Sequence, residues 1–136
     1  MFKPLTGILL AVAVSSIPST TEYIAPEPEP LKELTVEDKI VMSAQAYGLD
    51  EDLMLRIASA ESKFKNVPNY LYDGESGHYT AYGIFQITRT TYKAFCGNPD
   101  ERLDIDKNID CAMVIASKSG IHHWNESKNN WSNDNT

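Results

Sequence analysis

The chain has 136 residues, of which 12 are Lys or Arg and 19 are Asp or Glu, leaving a net charge of −7. A chain of this length accommodates one hydrophobic core and not two. Phosphate backbones need a basic surface, so the acidic balance and the lack of any basic run exclude nucleic acid as the main partner.

Lys3, the largely apolar run Leu5 to Val14 and the small residues Ser15, Ser16 and Ser19 read as a secretory signal over about residues 1–21. The apolar run is half of the roughly twenty residues that span a bilayer as a helix. No stable membrane span is therefore expected after processing, and the expected location is secreted, periplasmic or in the cell envelope. No Cys directly follows the run, so bacterial lipid attachment has no acceptor there. The cleavage point stays open, because Ala11-Val12-Ala13 lies inside the apolar run itself. Residues 22–33 form a linker in which Pro26, Pro28 and Pro30 alternate with Glu27 and Glu29, an extended, charged composition that does not pack.

The domain is expected over residues 34–136. Thr35 and Asp38 have capping-box spacing, Val36, Ile40, Ala44 and Tyr47 mark an apolar helix face, and Gly48 ends that helix. Asp50 caps a second helix that ends near Glu61 to Phe64. Leu53, Ile57 and Glu61 are spaced i, i+4, i+8, so a carboxylate falls on the stripe that faces the core. From Lys65 to Thr80 the turn signals Asp73-Gly74 and Ser76-Gly77 predict a long loop or small β-hairpin. Ala81 to Ile87 is apolar, interrupted by Gly83 and Gln86. A short helix is expected over 88–95 and a last long one over 109–117, capped from Asp104 to Asp106 and stopped at Gly120. His122 to Trp131 reads as a polar tail bracketed by tryptophans. The sum is an α+β domain, mostly helical, with a small β element between helices.

Cys96 and Cys111 are the only cysteines and flank a Pro/Asp-rich loop. A metal would want more ligands nearby and a reactive thiol a basic niche. A disulfide fits both the spacing and export better. His122 and His123 are adjacent and so share no helix face, and no metal and no cofactor is expected.

An inward acid facing a polar amide in an apolar wall suits a polar, neutral polymer. Three segments carry a more specific signal: Tyr47-Gly48-Leu49-Asp50 through Glu61-Ser62, Gly83-Ile84-Phe85-Gln86-Ile87, and Asn108-Ile109-Asp110-Cys111-Ala112. In this order they resemble the lysozyme-like lytic transglycosylase family, which includes soluble lytic transglycosylases and goose-type lysozymes. The resemblance covers residues 34 to 131. It implies a lysozyme-like fold and cleavage of the β-1,4 bond between N-acetylmuramic acid and N-acetylglucosamine in peptidoglycan glycan strands, with formation of 1,6-anhydromuramic acid. It makes Glu61 the catalytic acid and base, and Ser62, Tyr82, Gly83 and Gln86 the substrate-binding residues. Asn108, placed ahead of the last helix, is read as structural, with substrate contact left open.

One departure stands out. Many members carry a downstream Ala-Tyr-Asn segment whose Tyr lies close to the acid, and this chain reads His122-His123-Trp124-Asn125-Glu126-Ser127 instead; its Trp124 to Trp131 ending resembles small lysozymes, which implies a tail that packs back on the domain. A lysozyme-type hydrolase is the alternative, and it would want a second carboxylate, for which Asp73 and Glu75 are the candidates. A glycan-binding module without turnover is a third reading. An envelope protein partner that localises the enzyme is a further expectation.

Overall fold

The computed structural model describes residues 20–69, 72–73 and 78–132, with residues 72–73 and 78–79 described by their backbone alone. Residues 1–19 of the expected signal, Glu75 and the turn residues Gly74, Ser76 and Gly77 lie outside the described residues. The chain divides after Lys32 into two units. Residues 20–32 are exposed and without regular structure, as alternating Pro and Glu dictate.

The second unit begins with α1 (Val36–Ala46). Its first turn is closed by a reciprocal capping box: Asp38 N–H donates to Thr35 Oγ1 at 3.1 Å, and Thr35 N–H to Asp38 Oδ2 at 3.0 Å. Helix α2 (Glu51–Ser62) is capped by Asp50, which accepts from Leu53 N–H at 3.0 Å. It stops abruptly because Lys63 and Phe64 both take left-handed backbone, with φ 54° and 62°. Two short antiparallel pairs follow. Strand β1 (Tyr72–Asp73) pairs with β2 (His78–Tyr79), and β3 (Ala81–Tyr82) pairs with β4 (Ile87–Thr88). The first pair falls in the expected hairpin region. The second was not expected, because its strands are two residues long and carry no alternation to read.

Helix α3 (Arg89–Cys96) is capped by Thr88, a 3-10 turn spans Pro99–Leu103, and α4 runs Ile105–Ser119. Helix α4 starts a full turn earlier than the sequence suggested, since Asp104 caps it by accepting from Lys107 N–H at 3.0 Å. Asn108 consequently sits inside its first turn rather than ahead of it. The polar, Trp-bracketed tail packs back on the domain as the resemblance implied: a 3-10 stretch, His122–Ser127, runs into the short helix α5 (Lys128–Trp131), and both tryptophans are buried.

Helix α4 lines the core. Its Ile109, Ala112, Met113 and Ile115 are buried with Ile40 and Ala44 of α1, Met54, Ile57 and Ala58 of α2, and Ile84 and Phe85 between β3 and β4. Helix α1 packs on α2 and α4, and α2 packs on α5. A disulfide between Cys96 and Cys111, with Cα atoms 5.8 Å apart, joins the end of α3 to α4. The architecture is the α+β, mostly helical one expected. Among the described residues no helix is long and apolar enough to cross a membrane.

Candidate functional site

Glu61 occupies the last turn of α2, on the helix face whose preceding turn buries Ile57. Its side chain is half-buried, and Oε1 accepts a hydrogen bond from the Ser127 hydroxyl. Burial raises its pKa above the ordinary carboxylate value, the Ser127 bond pulls the other way, and the negative charge of Glu126 adds to the rise. A carboxyl in this state retains its proton to higher pH than an exposed one, which is what a general acid needs.

The adjoining Ser62 is buried, and its hydroxyl donates to the Ile84 carbonyl at 2.8 Å. The resemblance implied a hydroxyl that helps to orient the acid or the substrate. The hydroxyl ties the end of α2 to the turn between β3 and β4, an acid-orienting contact that holds Glu61 through the backbone.

The turn itself is built around Gly83 and Asn108. Asn108 is wholly buried; its amide donates to the carbonyls of Tyr82 at 3.0 Å and Arg102 at 2.9 Å and accepts from Phe85 N–H at 3.0 Å. This excludes the substrate contact left open for Asn108 and makes it a structural tie. Gly83 has φ 88°, and the space a side chain would need is filled by the Asn108 amide. Its close approach is thus to Asn108, a packing reason for the glycine that the substrate-binding expectation did not include.

Gln86 also has left-handed backbone, φ 49°, and it lies half-buried at the end of the same turn. Its Nε2 donates to the carbonyls of Val67 at 2.7 Å and Gly83 at 2.9 Å. Both amide hydrogens are thereby committed to backbone, which orients the amide and leaves its oxygen as the group for a ligand donor. Tyr82, one residue before the turn, is half-buried on β3 opposite Ile87. Of the two carboxylates considered for a hydrolase, Asp73 lies on β1, where the backbone alone is described, and Glu75 lies outside the described residues.

Ser127, Trp124 and Trp131 are site residues that the sequence reading missed. The Trp124 indole N–H donates to the Phe85 carbonyl at 2.9 Å, and its ring meets Phe85 edge-on at 5.9 Å. The Trp131 indole N–H donates to Ser127 Oγ at 3.1 Å and to the Trp124 carbonyl at 3.2 Å. One network therefore runs from Glu61 through Ser127 and the tryptophans to the turn that carries Gln86. The signal was available: Trp124, Ser127 and Trp131 are spaced i, i+3, i+7, which places them on one helical face. Among the described residues no group of three or more His, Cys, Asp or Glu side chains is placed to hold a metal ion.

Residues 38–128 match the family described as Transglycosylase SLT domain. That span contains Glu61, the Gly83–Gln86 turn, Asn108, Trp124 and Ser127, and stops short of Trp131. No curated protein and no solved structure matches the chain.

Proposed function

The chain belongs to the transglycosylase SLT domain family, and on that premise we propose that it is a peptidoglycan lytic transglycosylase in which Glu61 carries the reaction. Membership gives the lysozyme-like fold and a glycan-cleaving, transglycosylase-type activity on peptidoglycan. The finer reading cuts the β-1,4 bond between N-acetylmuramic acid and N-acetylglucosamine and leaves 1,6-anhydromuramic acid. The observation that supports it is the half-buried Glu61 carboxyl, whose proton is retained by burial and whose geometry is fixed by one hydroxyl.

In the first half of the reaction the Glu61 proton passes to the glycosidic oxygen as the bond from that oxygen to C1 of the muramic sugar breaks. The substrate's own N-acetyl group stabilises the positive centre. In the second half the Glu61 carboxylate takes the proton of the C6 hydroxyl, whose oxygen bonds to C1 and closes the anhydro ring. One acid suffices, no water is consumed, and Glu61 ends protonated as it began. Tyr82 supplies a ring for a sugar face and the Gln86 carbonyl oxygen an acceptor for a sugar donor. Ser62 and Gly83 act at a distance, by fixing the backbone that carries them.

Mass spectrometry of muropeptides released from purified peptidoglycan tests this reading. Products ending in 1,6-anhydromuramic acid are expected, with release falling about a thousandfold in Glu61→Gln. Reducing ends that carry an added water would replace the lytic reading with a hydrolase.

We further propose export to the cell envelope. The support is the signal-like pattern at the N-terminus together with the Cys96–Cys111 disulfide, a bond that persists in oxidising compartments. N-terminal sequencing of the protein recovered from envelope fractions should begin near residue 22; recovery with Met1 retained would overturn processing.

A further inference from the structure

Ser127 occupies the stretch where this chain departs from the pattern of its family, and its hydroxyl is what touches Glu61. Three groups surround Ser127 Oγ: Glu61 Oε1, the Trp124 carbonyl at 3.1 Å and the Trp131 indole nitrogen at 3.1 Å. A serine hydroxyl has one hydrogen to give and two lone pairs to offer. The indole N–H only donates, so it takes a lone pair of Oγ. The hydroxyl hydrogen then has two acceptors to choose between. Glu61 Oε1 is the closer of the two and, as a carboxylate oxygen, the stronger acceptor, so the hydrogen of Ser127 goes to Glu61.

We infer that Ser127 is a positioning residue for Glu61, holding Oε1 as an acceptor and thereby leaving Oε2 as the oxygen that carries the acidic proton. A protonated carboxyl has one carbonyl and one hydroxyl oxygen, and a donor fixed on Oε1 makes that oxygen the carbonyl. Among the described residues no hydrogen bond reaches Oε2, so the proton sits on the oxygen left open to a substrate. The assignment rests on the reading of Glu61 as the general acid.

The hydroxyl is not needed to dock the C-terminal helix. Arg56 Nη1 donates to the Trp131 carbonyl, and both tryptophan rings are buried by their own packing. Ser127→Ala should therefore fold, and its effect should fall on the chemistry.

Turnover of peptidoglycan by the full chain is compared for wild type, Ser127→Ala, Ser127→Thr and Glu61→Gln across pH. Expected for Ser127→Ala is a fall in kcat of about tenfold, the size of one hydrogen bond to a charged group, with KM unchanged. The bond favours the ionised form, so its loss should also move the high-pH fall in activity to higher pH. Ser127→Thr restores both. A merely structural hydroxyl would lower Tm and leave kcat and the pH profile alone, and that result overturns the inference. Carbon NMR titration of the Glu61 carboxyl gives an independent readout: its midpoint should be higher in Ser127→Ala, and an unchanged midpoint overturns the inference even if no turnover is seen. Activity retained in Glu61→Gln would instead overturn the function proposed for Glu61 and leave the carboxyl titration to judge Ser127.

Discussion

Gly83 and Asn108 stand so close that a Cβ on Gly83 would lie 2.2 Å from the Asn108 amide nitrogen. No side chain other than hydrogen fits there, and the hydrogen bonds of the amide keep it from moving aside. Asn108 uses both amide hydrogens and its oxygen to hold Tyr82, Phe85 and Arg102 to α4. The turn that presents Gln86 is therefore suspended from one buried amide.

Gly83→Ala is expected to lose about 3 kcal/mol of stability, combining a left-handed backbone that Ala tolerates poorly with a displaced, buried amide. Asn108→Ala should cost a similar amount, because it strands the buried Phe85 N–H. Urea denaturation measures both. A loss below about 1 kcal/mol in either variant would mean that the turn does not depend on this contact.

The Cys96–Cys111 bond joins residues separated by 15 positions and closes a loop that holds the 3-10 turn between α3 and α4. In the chain-entropy account such a closure stabilises by about 3 kcal/mol. The double variant Cys96→Ser with Cys111→Ser should fall by that amount in urea denaturation. Wild type in reductant should match it, and agreement between the two would separate loss of the bond from any effect of the serines.

Much of this was legible in the sequence because the signals were local. Thr35, Asp50 and Thr88 are side chains that satisfy helix N–H groups within three residues, so each start could be read from a few neighbours. The carboxylate of Glu61 could be placed on the inward face of α2 from spacing alone. The roles of Ser62, Gly83 and Asn108 were harder to read, because each is decided by a partner more than twenty residues away. Ser127 was missed for the same reason, since its partner Glu61 is 66 residues distant and nothing beside Ser127 in sequence points to a carboxylate there. The β3–β4 pair escaped because two-residue strands have no period.

Burial of Glu61 bears on stability as well as on the chemistry proposed for it. Its folded pKa is raised above the ordinary value of 4.5, so the protonated form suits the fold better than the ionised form. The stability it contributes is complete below the unfolded pKa and is lost as pH rises through the folded one. Glu61→Gln keeps an oxygen for Ser127 and removes the charge. Its Tm should exceed that of wild type by a few degrees at neutral pH, and the gap should close as pH falls below about 4.5. Equal Tm values at pH 7 in differential scanning calorimetry would show that the ionised carboxylate is well solvated in the fold.

The exposed Glu126 offers a finer control. Its negative charge raises the Glu61 pKa, and neutralising it should lower that pKa and bring the high-pH fall in activity to lower pH. This is opposite in sign to the shift expected for Ser127→Ala, so the two variants bracket the wild type. The influence of Glu126 acts through solvent and is screened by salt. Raising the ionic strength to about 0.5 M, where the Debye length falls to a few ångströms, should move the wild-type profile toward that of Glu126→Gln and leave the variant nearly in place. A salt-independent difference between the two would assign the effect of Glu126 to local packing rather than to its charge.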